Sequence, residues 1–243
     1  MDGESAKNGR KIVVSKNGPY LVSGNIPLDK QIIEIGEGQD QEKWVKGKKY
    51  PLQQGYALCR CGQSRKKPFC DGTHEKVNFD GTEKASRAQY VDQAEGEIEG
   101  PGLILTDAPT FCAAARFCHR EGGVWDLTER SDQPELKKIA IEECCHCPSG
   151  KLVVWDKKTR QPIEPAFEPS ISLVEDPQAD CSGPIWVKGG VPVESADGTP
   201  YEARNRQTLC RCGHSDNKPF CDGSHIAVKF SDGDESLTKQ DTP

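Results

Sequence analysis

Three thiols and one imidazole fall within sixteen residues of this chain, and the whole set is then repeated. Cys59-Arg-Cys61-Gly-Gln-Ser64-Arg-Lys-Lys-Pro68-Phe-Cys70-Asp71-Gly72-Thr73-His74 recurs from Cys210 to His225 at an offset of 151, with 12 of 16 positions identical. Each copy is a complete set of soft ligands in fixed spacing, so the repeated object is a metal site. Metal bound to a site that the unfolded chain lacks contributes its binding free energy to folding. A chain built this way does not need one large apolar core. Its hydrophobic content, glycine excluded, is 34%. The expectation is small, metal-stabilised modules.

The repeat reaches beyond the cassette. Gly18-Pro-Tyr-Leu-Val-Ser-Gly-Asn-Ile-Pro-Leu28 matches Gly183-Pro-Ile-Trp-Val-Lys-Gly-Gly-Val-Pro-Val193 in pattern. Tyr50 and Tyr201 each stand nine residues before the first Cys, and Phe79 and Phe230 each follow the His by five. β-Branched and aromatic residues punctuated by Gly and Pro predict two brief strands and a turn, then an irregular metal loop. The first arm is 14 residues longer, which predicts a loop or extra strand around Gln31–Lys48. Residues 100–168 belong to neither copy. There Leu103-Ile-Leu105 and Leu152-Val-Val-Trp155 read as strands, and Pro134 opens a helix with Leu136, Ile139 and Ala140 on one face. The organisation expected is a first repeat over 1–99, an insert over 100–168 and a second repeat over 169–243, an α+β arrangement.

Composition removes several functions. The start has no apolar signal segment and no later run approaches membrane length, so no membrane association and a cytoplasmic location are expected. In that reducing setting the twelve cysteines are ligands or free thiols rather than disulfides. A net charge of -6 without a basic stripe argues against nucleic acid as partner. Asp232, Asp234 and Glu235 read as a solvated acidic end. Cys181 aligns with Lys16, so the repeat gives it no role and a free buried thiol is expected.

The donors themselves leave two alternatives. Cys-x-Cys is tighter than the gap of structural zinc sites and strains a tetrahedron shared with two more ligands. A two-iron cluster relieves this, with Cys59 and Cys61 on one iron and Cys70 and His74 on the other, and likewise Cys210, Cys212, Cys221 and His225. Both copies, moreover, fulfil Cys-x-Cys-x2-Ser-x3-Pro-x-Cys-Asp-Gly-Ser/Thr-His, and in this the chain resembles the CDGSH iron–sulfur (NEET) family. The resemblance implies a [2Fe-2S] cluster per cassette. It also implies a cap of short β-strands over a two-cluster unit that two chains usually build, here an intramolecular pseudo-dimer. Ser64 and Ser215 either donate to cluster sulfur or shape the turn. Asp71 and Asp222 are placed to accept a backbone N–H at the start of a short helix.

The insert carries Cys112-x5-Cys118 and, 29 residues on, Cys147-Pro148. Measured against the Cys-x2-Cys-x2-Cys of ferredoxins, the outer thiols are kept and Ala115 holds the middle place. Phe111–Trp155 resembles the divergent single-cluster ferredoxin domain of bacteria. This implies a [3Fe-4S] cluster on Cys112, Cys118 and Cys147, or a [4Fe-4S] cluster if another ligand joins, with Cys144 the first candidate and Cys145 the second. A metal-free small domain is the plainer alternative. His119 and His146 are expected on the surface.

These readings meet in an iron–sulfur protein for electron transfer or redox sensing, with a redox or cluster-accepting protein as partner. A neutral imidazole in place of a thiolate raises cluster potential. It also lets acid compete with iron for the ligand, which suits the alternative of a cluster donor. A zinc-bound interaction module is the remaining rival. The sequence has no Gly-rich phosphate loop, Ser/His/Asp set or open-site metal motif, so no enzyme is expected.

Overall fold

A computed structural model describes residues 9–35 and 42–237 of the chain. The first repeat supplies β1 (Lys11–Val14), β2 (Tyr20–Ser23), β3 (Leu28–Ile35), β4 (Glu42–Lys49), β5 (Gly55–Leu58) and the one-turn helix α1 (Thr73–Lys76). The insert region follows with α2 (Tyr90–Gln93), β6 (Glu97–Glu99), β7 (Leu103–Asp107), α3 (Val124–Glu129), α4 (Pro134–His146), β8 (Leu152–Asp156) and β9 (Pro162–Ile163). The second repeat adds β10 (Ser170–Asp176), β11 (Cys181–Lys188), β12 (Val193–Glu194), β13 (Arg206–Leu209) and α5 (Ser224–Ala227). This is a mixed α/β chain of small sheets and short helices. The extra length of the first arm becomes the β3–β4 ribbon, described up to Ile35 and again from Glu42.

The repeats are interlocked through their sheets. One sheet runs β12-β1-β2-β5 and another β13-β11-β10-β3-β4, so the second repeat lends β12 to the first and the first lends β3 and β4 to the second. β1 pairs in parallel with β12 (Ile12 opposite Val193), and β10 pairs in parallel with β3 (Ile171 opposite Leu28). The remaining pairs also correspond: Tyr20 stands opposite Leu58, and Ile185 opposite Leu209. Parallel neighbours need a long connection between them, and each loan spans the chain between the two repeats. The third sheet, β6-β7-β8-β9, belongs to the insert.

The core differs from the expectation of separate modules. One apolar cluster joins Ile12, Tyr20 and Leu58 of the first repeat to Ile171, Leu173 and Leu209 of the second, and takes in Tyr90, Phe111 and Val153 of the insert region. Exchange of strands is the reason, because each sheet buries a face built from both repeats. Each such side chain fully buried is worth about 1.5–3 kcal/mol. A second cluster packs α3 and α4 on the insert sheet, with Ala140 and Cys144 facing Leu103, Leu105 and Leu152, and Leu136 and Ile139 at its edge.

The acidic end is likewise not solvated throughout. Asp232 is buried with Glu175, and together with Asp234 they surround Lys30 of β3 at 3.1, 2.9 and 2.6 Å. Arg211 closes the network on Glu175 and Asp232 at 3.0 and 2.5 Å. Burial opposes the charge on Asp232, yet Arg211 and Lys30 hold its carboxyl well below the usual range. Isolated in the sequence, these acids gave no sign of Arg211 from their own repeat or of Lys30, which the strand exchange brings to them.

Candidate metal centres

Each cassette is a loop hung from the end of a strand. β5 delivers Leu58 and then Cys59, and β13 delivers Leu209 and then Cys210. The loop folds back so that Leu58 bridges Phe69 and Leu209 bridges Phe220. Cys59 N–H donates to Pro68 C=O at 2.8 Å, Cys70 N–H to Ala57 C=O at 2.9 Å, and the second copy repeats both bonds at 2.9 Å. Both cassettes carry a cis X-Pro bond, at Pro68 and Pro219.

The four donors of a cassette form two pairs. Cys59 Sγ lies 3.8 Å from Cys61 Sγ, and Cys70 Sγ lies 3.3 Å from His74 Nδ1. In the second cassette the same pairs stand at 3.6 and 3.4 Å. No three of a cassette's donor atoms lie within 4.8 Å of one another. A single tetrahedral zinc with Zn–S near 2.3 Å would hold every pair of sulfurs at about 3.8 Å. The donors thus stand as two pairs rather than one compact tetrahedron, and in the second pair of each cassette the imidazole turns Nδ1 toward the thiol.

Backbone amides are turned onto the sulfurs. Gln63 N–H approaches Cys61 Sγ at 3.4 Å, and Gly72 and Gly223 N–H approach Cys70 and Cys221 Sγ at 3.5 and 3.4 Å. The neighbouring Cys61 thiol, helped by the Ser64 and Gly62 amides, outweighs burial and holds the Cys59 thiol below its ordinary pKa. Cys210 is favoured in the same way by Cys212, Ser215 and Gly213. Such fixed N–H dipoles stabilise thiolates and the negative charge of a bound cluster.

The serine hydroxyls are engaged elsewhere. Ser64 Oγ donates to Phe69 C=O at 2.6 Å and accepts from Lys66 N–H, and Ser215 does the same with Phe220 and Asn217. Of the two roles weighed for them, turn shaping is the one their hydroxyls perform here, and their backbone amides face the sulfur. Asp71 accepts from Thr73 N–H at 3.0 Å and Arg65 N–H at 2.9 Å, and Asp222 from Ser224 and Asp216 N–H. The position preceding each short helix is in fact Gly72 or Gly223, at left-handed φ of 85° and 87°. The aspartate stands one place earlier and braces two stretches of loop.

The two cassettes meet back to back. A methyl built on Gly62 would lie 2.4 Å from Cys212 O, and one built on Gly213 would lie 2.6 Å from Cys61 O. Both glycines also have positive φ, 74° and 87°. Tyr20 crosses the junction, donating to Cys210 C=O at 2.8 Å. The Arg inside each Cys-Arg-Cys is buried: Arg60 donates to Ser15 and Gly81 carbonyls, and Arg211 to Gly183 and Val174 carbonyls. Their recurrence in both copies was the available signal, and the sequence reading passed over it.

Around the imidazoles the sites differ. His74 and Cys70 are half-buried beside an open concavity lined by Lys16, Asn17, Glu75 and Asp80. His225 and Cys221 are buried. Burial, followed by the nearby Arg211, lowers the His225 pKa to about 4. What covers the second site is the insert. Gly223 sits against Cys112 C=O and Ala114, Asn217 donates to Thr110 C=O at 2.9 Å, and Phe111 meets Phe220 edge-on at 5.4 Å between centroids.

Cys112, Cys118 and Cys147 line one small cavity of the insert, together with Ala115. No three of its thiols lie within 4.8 Å, a spacing that suits a polynuclear cluster better than a single ion. Ala114 and Arg116 in its wall have φ of 53° and 64°, a left-handed backbone that non-glycine residues keep where surroundings enforce it. Arg116 is fixed by a two-pronged pair to Asp176 at 2.7 and 2.9 Å. Cys144 does not line this cavity. It is wholly buried in the α3–α4 core, where burial pushes its thiol well up. Cys145 points instead toward Ile163 C=O, at 3.9 Å. Cys181 is a free, buried thiol, and His119 and His146 are exposed.

The sequence analysis also missed the clamp on Cys147. Arg206 of β13 is buried and donates to the carbonyls of Cys144, Cys147 (2.9 Å) and Leu152 (3.3 Å), and it pairs with Glu164 at 2.5 Å. Arg204 lies over Phe111 at 4.1 Å and donates to Ser149 C=O at 3.1 Å.

Two known families match parts of the chain. Residues 17–75 and 182–226 each match the iron-binding zinc finger CDGSH type, and residues 98–157 match the divergent 4Fe-4S mono-cluster family. No curated protein and no solved structure matches the chain. Among the described residues, no helix is long and apolar enough to cross a membrane.

Proposed function

This chain belongs to the CDGSH iron–sulfur family, with two family regions around a divergent 4Fe-4S mono-cluster domain, and we propose that it is a multi-cluster electron carrier. The reading assigns a [2Fe-2S] cluster to Cys59, Cys61, Cys70 and His74, and another to Cys210, Cys212, Cys221 and His225. It assigns a [3Fe-4S] or [4Fe-4S] cluster to Cys112, Cys118 and Cys147. These groups supply one-electron chemistry, and the chain's own residues hold, insulate and connect them. Gln63, Gly72 and Gly223 amides offset sulfur charge, and the reciprocal Gly62–Cys212 and Gly213–Cys61 contacts bring the cassettes together as an intramolecular pseudo-dimer.

One observation carries the proposal: Cys112 of the insert packs on Gly223, midway between Cys221 and His225. Two kinds of cluster site thus share a wall, an arrangement that serves passage of electrons from one to the other. The half-buried His74 edge supports a second reading, a cluster donor that releases from the first cassette. The reaction partner in either case is a protein. Anaerobic purification with iron and sulfide counts, followed by repeated reduction and reoxidation under EPR, tests the carrier. About seven or eight irons per chain, retained through the cycles, are expected. Colourless protein with zinc, or iron passed to an apo-ferredoxin as fast as it is lost, would sink the carrier reading.

A further inference from the structure

The two cassettes are near-copies in sequence and opposites in exposure. The second is roofed by the insert at Cys112, Ala114 and Thr110, and its ligands Cys221 and His225 are buried. Among the described residues the first has no such roof: His74 lines an open concavity beside Lys16, and Cys70 is half-buried. Electrons leave a protein through the cluster edge that a partner can approach, which here is the His74 edge. The charges around the two edges also diverge. Four cassette positions differ, and two of these turn Arg65-Lys66 into Asp216-Asn217.

Arg65, Lys66 and Lys76 are exposed on the first cassette, with exposed Lys16 adjoining. Against them stand Asp71, Glu75 and Asp80. Asp71 is engaged by the Arg65 and Thr73 amides, Asp80 by Thr82, and Glu75 lies 3.9 Å from His74 Nε2. Lys67 is turned inward onto Ser64 C=O at 2.9 Å. At the second cassette Asp216 meets Lys84, and Asn217 is spent on the insert. The first cassette and its neighbourhood thus carry four exposed cations against three carboxylates, where the second cassette has Asp216 and Asn217 in place of Arg65 and Lys66, in a chain whose net charge is -6.

We propose that the rim of the first cassette, centred on Arg65, Lys66 and Lys16 beside His74, is the docking surface for an acidic redox protein. The second cassette is the internal relay between that surface and the insert. This rests on the electron-carrier reading. Complementary charge at such a rim steers encounter and speeds association, an effect that salt removes.

The full chain, loaded and reduced, is mixed in stopped flow with hexacyanoferrate(III), which takes one electron per ion and becomes hexacyanoferrate(II). The oxidation rate is expected to fall at least about threefold between low and high salt, despite the negative net charge. Arg65→Glu with Lys66→Glu reverses that slope, whereas Asp216→Arg leaves it unchanged. Both altered side chains are exposed, and the loop bonds at 65 and 66 come from backbone N–H groups, so the fold is retained. A rate that is flat or rises with salt in the parent chain overturns the docking surface. So does a slope indifferent to the double variant.

Poly-L-glutamate binding gives a readout independent of redox chemistry. The double variant weakens it about tenfold or more and Asp216→Arg does not. Duplex DNA bound as tightly as poly-L-glutamate would overturn the assignment to an acidic protein. If iron is shed during the redox cycle the carrier reading fails, and the polyglutamate result alone then judges the surface.

Discussion

Arg206 ties the insert's cluster site to the second cassette, and its removal is the sharpest test of that connection. Its guanidinium is fully buried, pairs with Glu164, and donates to the carbonyls of Cys144, Cys147 and Leu152. Three residues further along the same strand is Leu209, which leads directly into Cys210. Arg206→Met keeps an unbranched apolar stem but removes every donor. Breaking one side of a buried pair costs about 3–5 kcal/mol. Glu164 retains 24% exposure and can be partly rehydrated, which places the loss near the lower end, about 3 kcal/mol. The carbonyls of Cys144 and Cys147 lose their donor in the same step, and each buried orphan adds about 1–3 kcal/mol if it stays dry.

The turn that presents Cys147 is therefore expected to loosen before the rest of the chain. Arg206→Met should lose the insert's three or four irons and keep about four in the cassettes. Iron and sulfide counts with EPR read the metal, and denaturant unfolding reads stability. Arg206→Met with Glu164→Leu removes the stranded charge. That double variant should recover stability without recovering the insert's iron, which separates the clamp from simple destabilisation. Full iron with an unchanged EPR spectrum in either variant would refute the reasoning.

Other substitutions probe the remaining contacts. Ala115→Cys restores the middle thiol on the wall shared by Cys112, Cys118 and Cys147, and is expected to convert a three-iron EPR signature into that of a four-iron cluster. Gly62→Ala puts a methyl 2.4 Å from Cys212 O at positive φ, and should cost about 2–4 kcal/mol in denaturant unfolding. It should weaken iron retention in both cassettes, since the contact is shared. Asp232 has its pKa depressed in the fold by Arg211 and Lys30 against the opposing effect of burial. Its contribution is present above the unfolded carboxyl pKa of about 4 and is lost as pH falls below it. Comparing unfolding of the parent chain with Asp232→Asn from pH 7 to 3 should show the gap closing with acid; a constant gap would contradict the assignment.

How much of this was legible beforehand follows from range. The cassette is local: its four donors lie within sixteen residues, so spacing alone singled them out as candidates, and the fold holds them in two pairs. The helix at Pro134 and the strands at Leu103 and Leu152 were readable for the same reason, through propensity and short-period pattern. Cys144 was misjudged because sequence proximity to Cys147 says nothing about direction. On α4 its side chain faces the apolar core, away from the cavity that the other three thiols line.

By itself, then, the sequence determined that a cassette of three Cys and one His occurs twice and that a region of a different iron–sulfur family lies between the copies. Tertiary structure alone decided that the twins are unequal. Strand loans between repeats made one shared core, brought Lys30 onto Asp232, and laid the insert over His225 but not His74. These contacts join residues more than a hundred positions apart. No local pattern encodes them, because they arise only when apolar faces from both repeats are buried together.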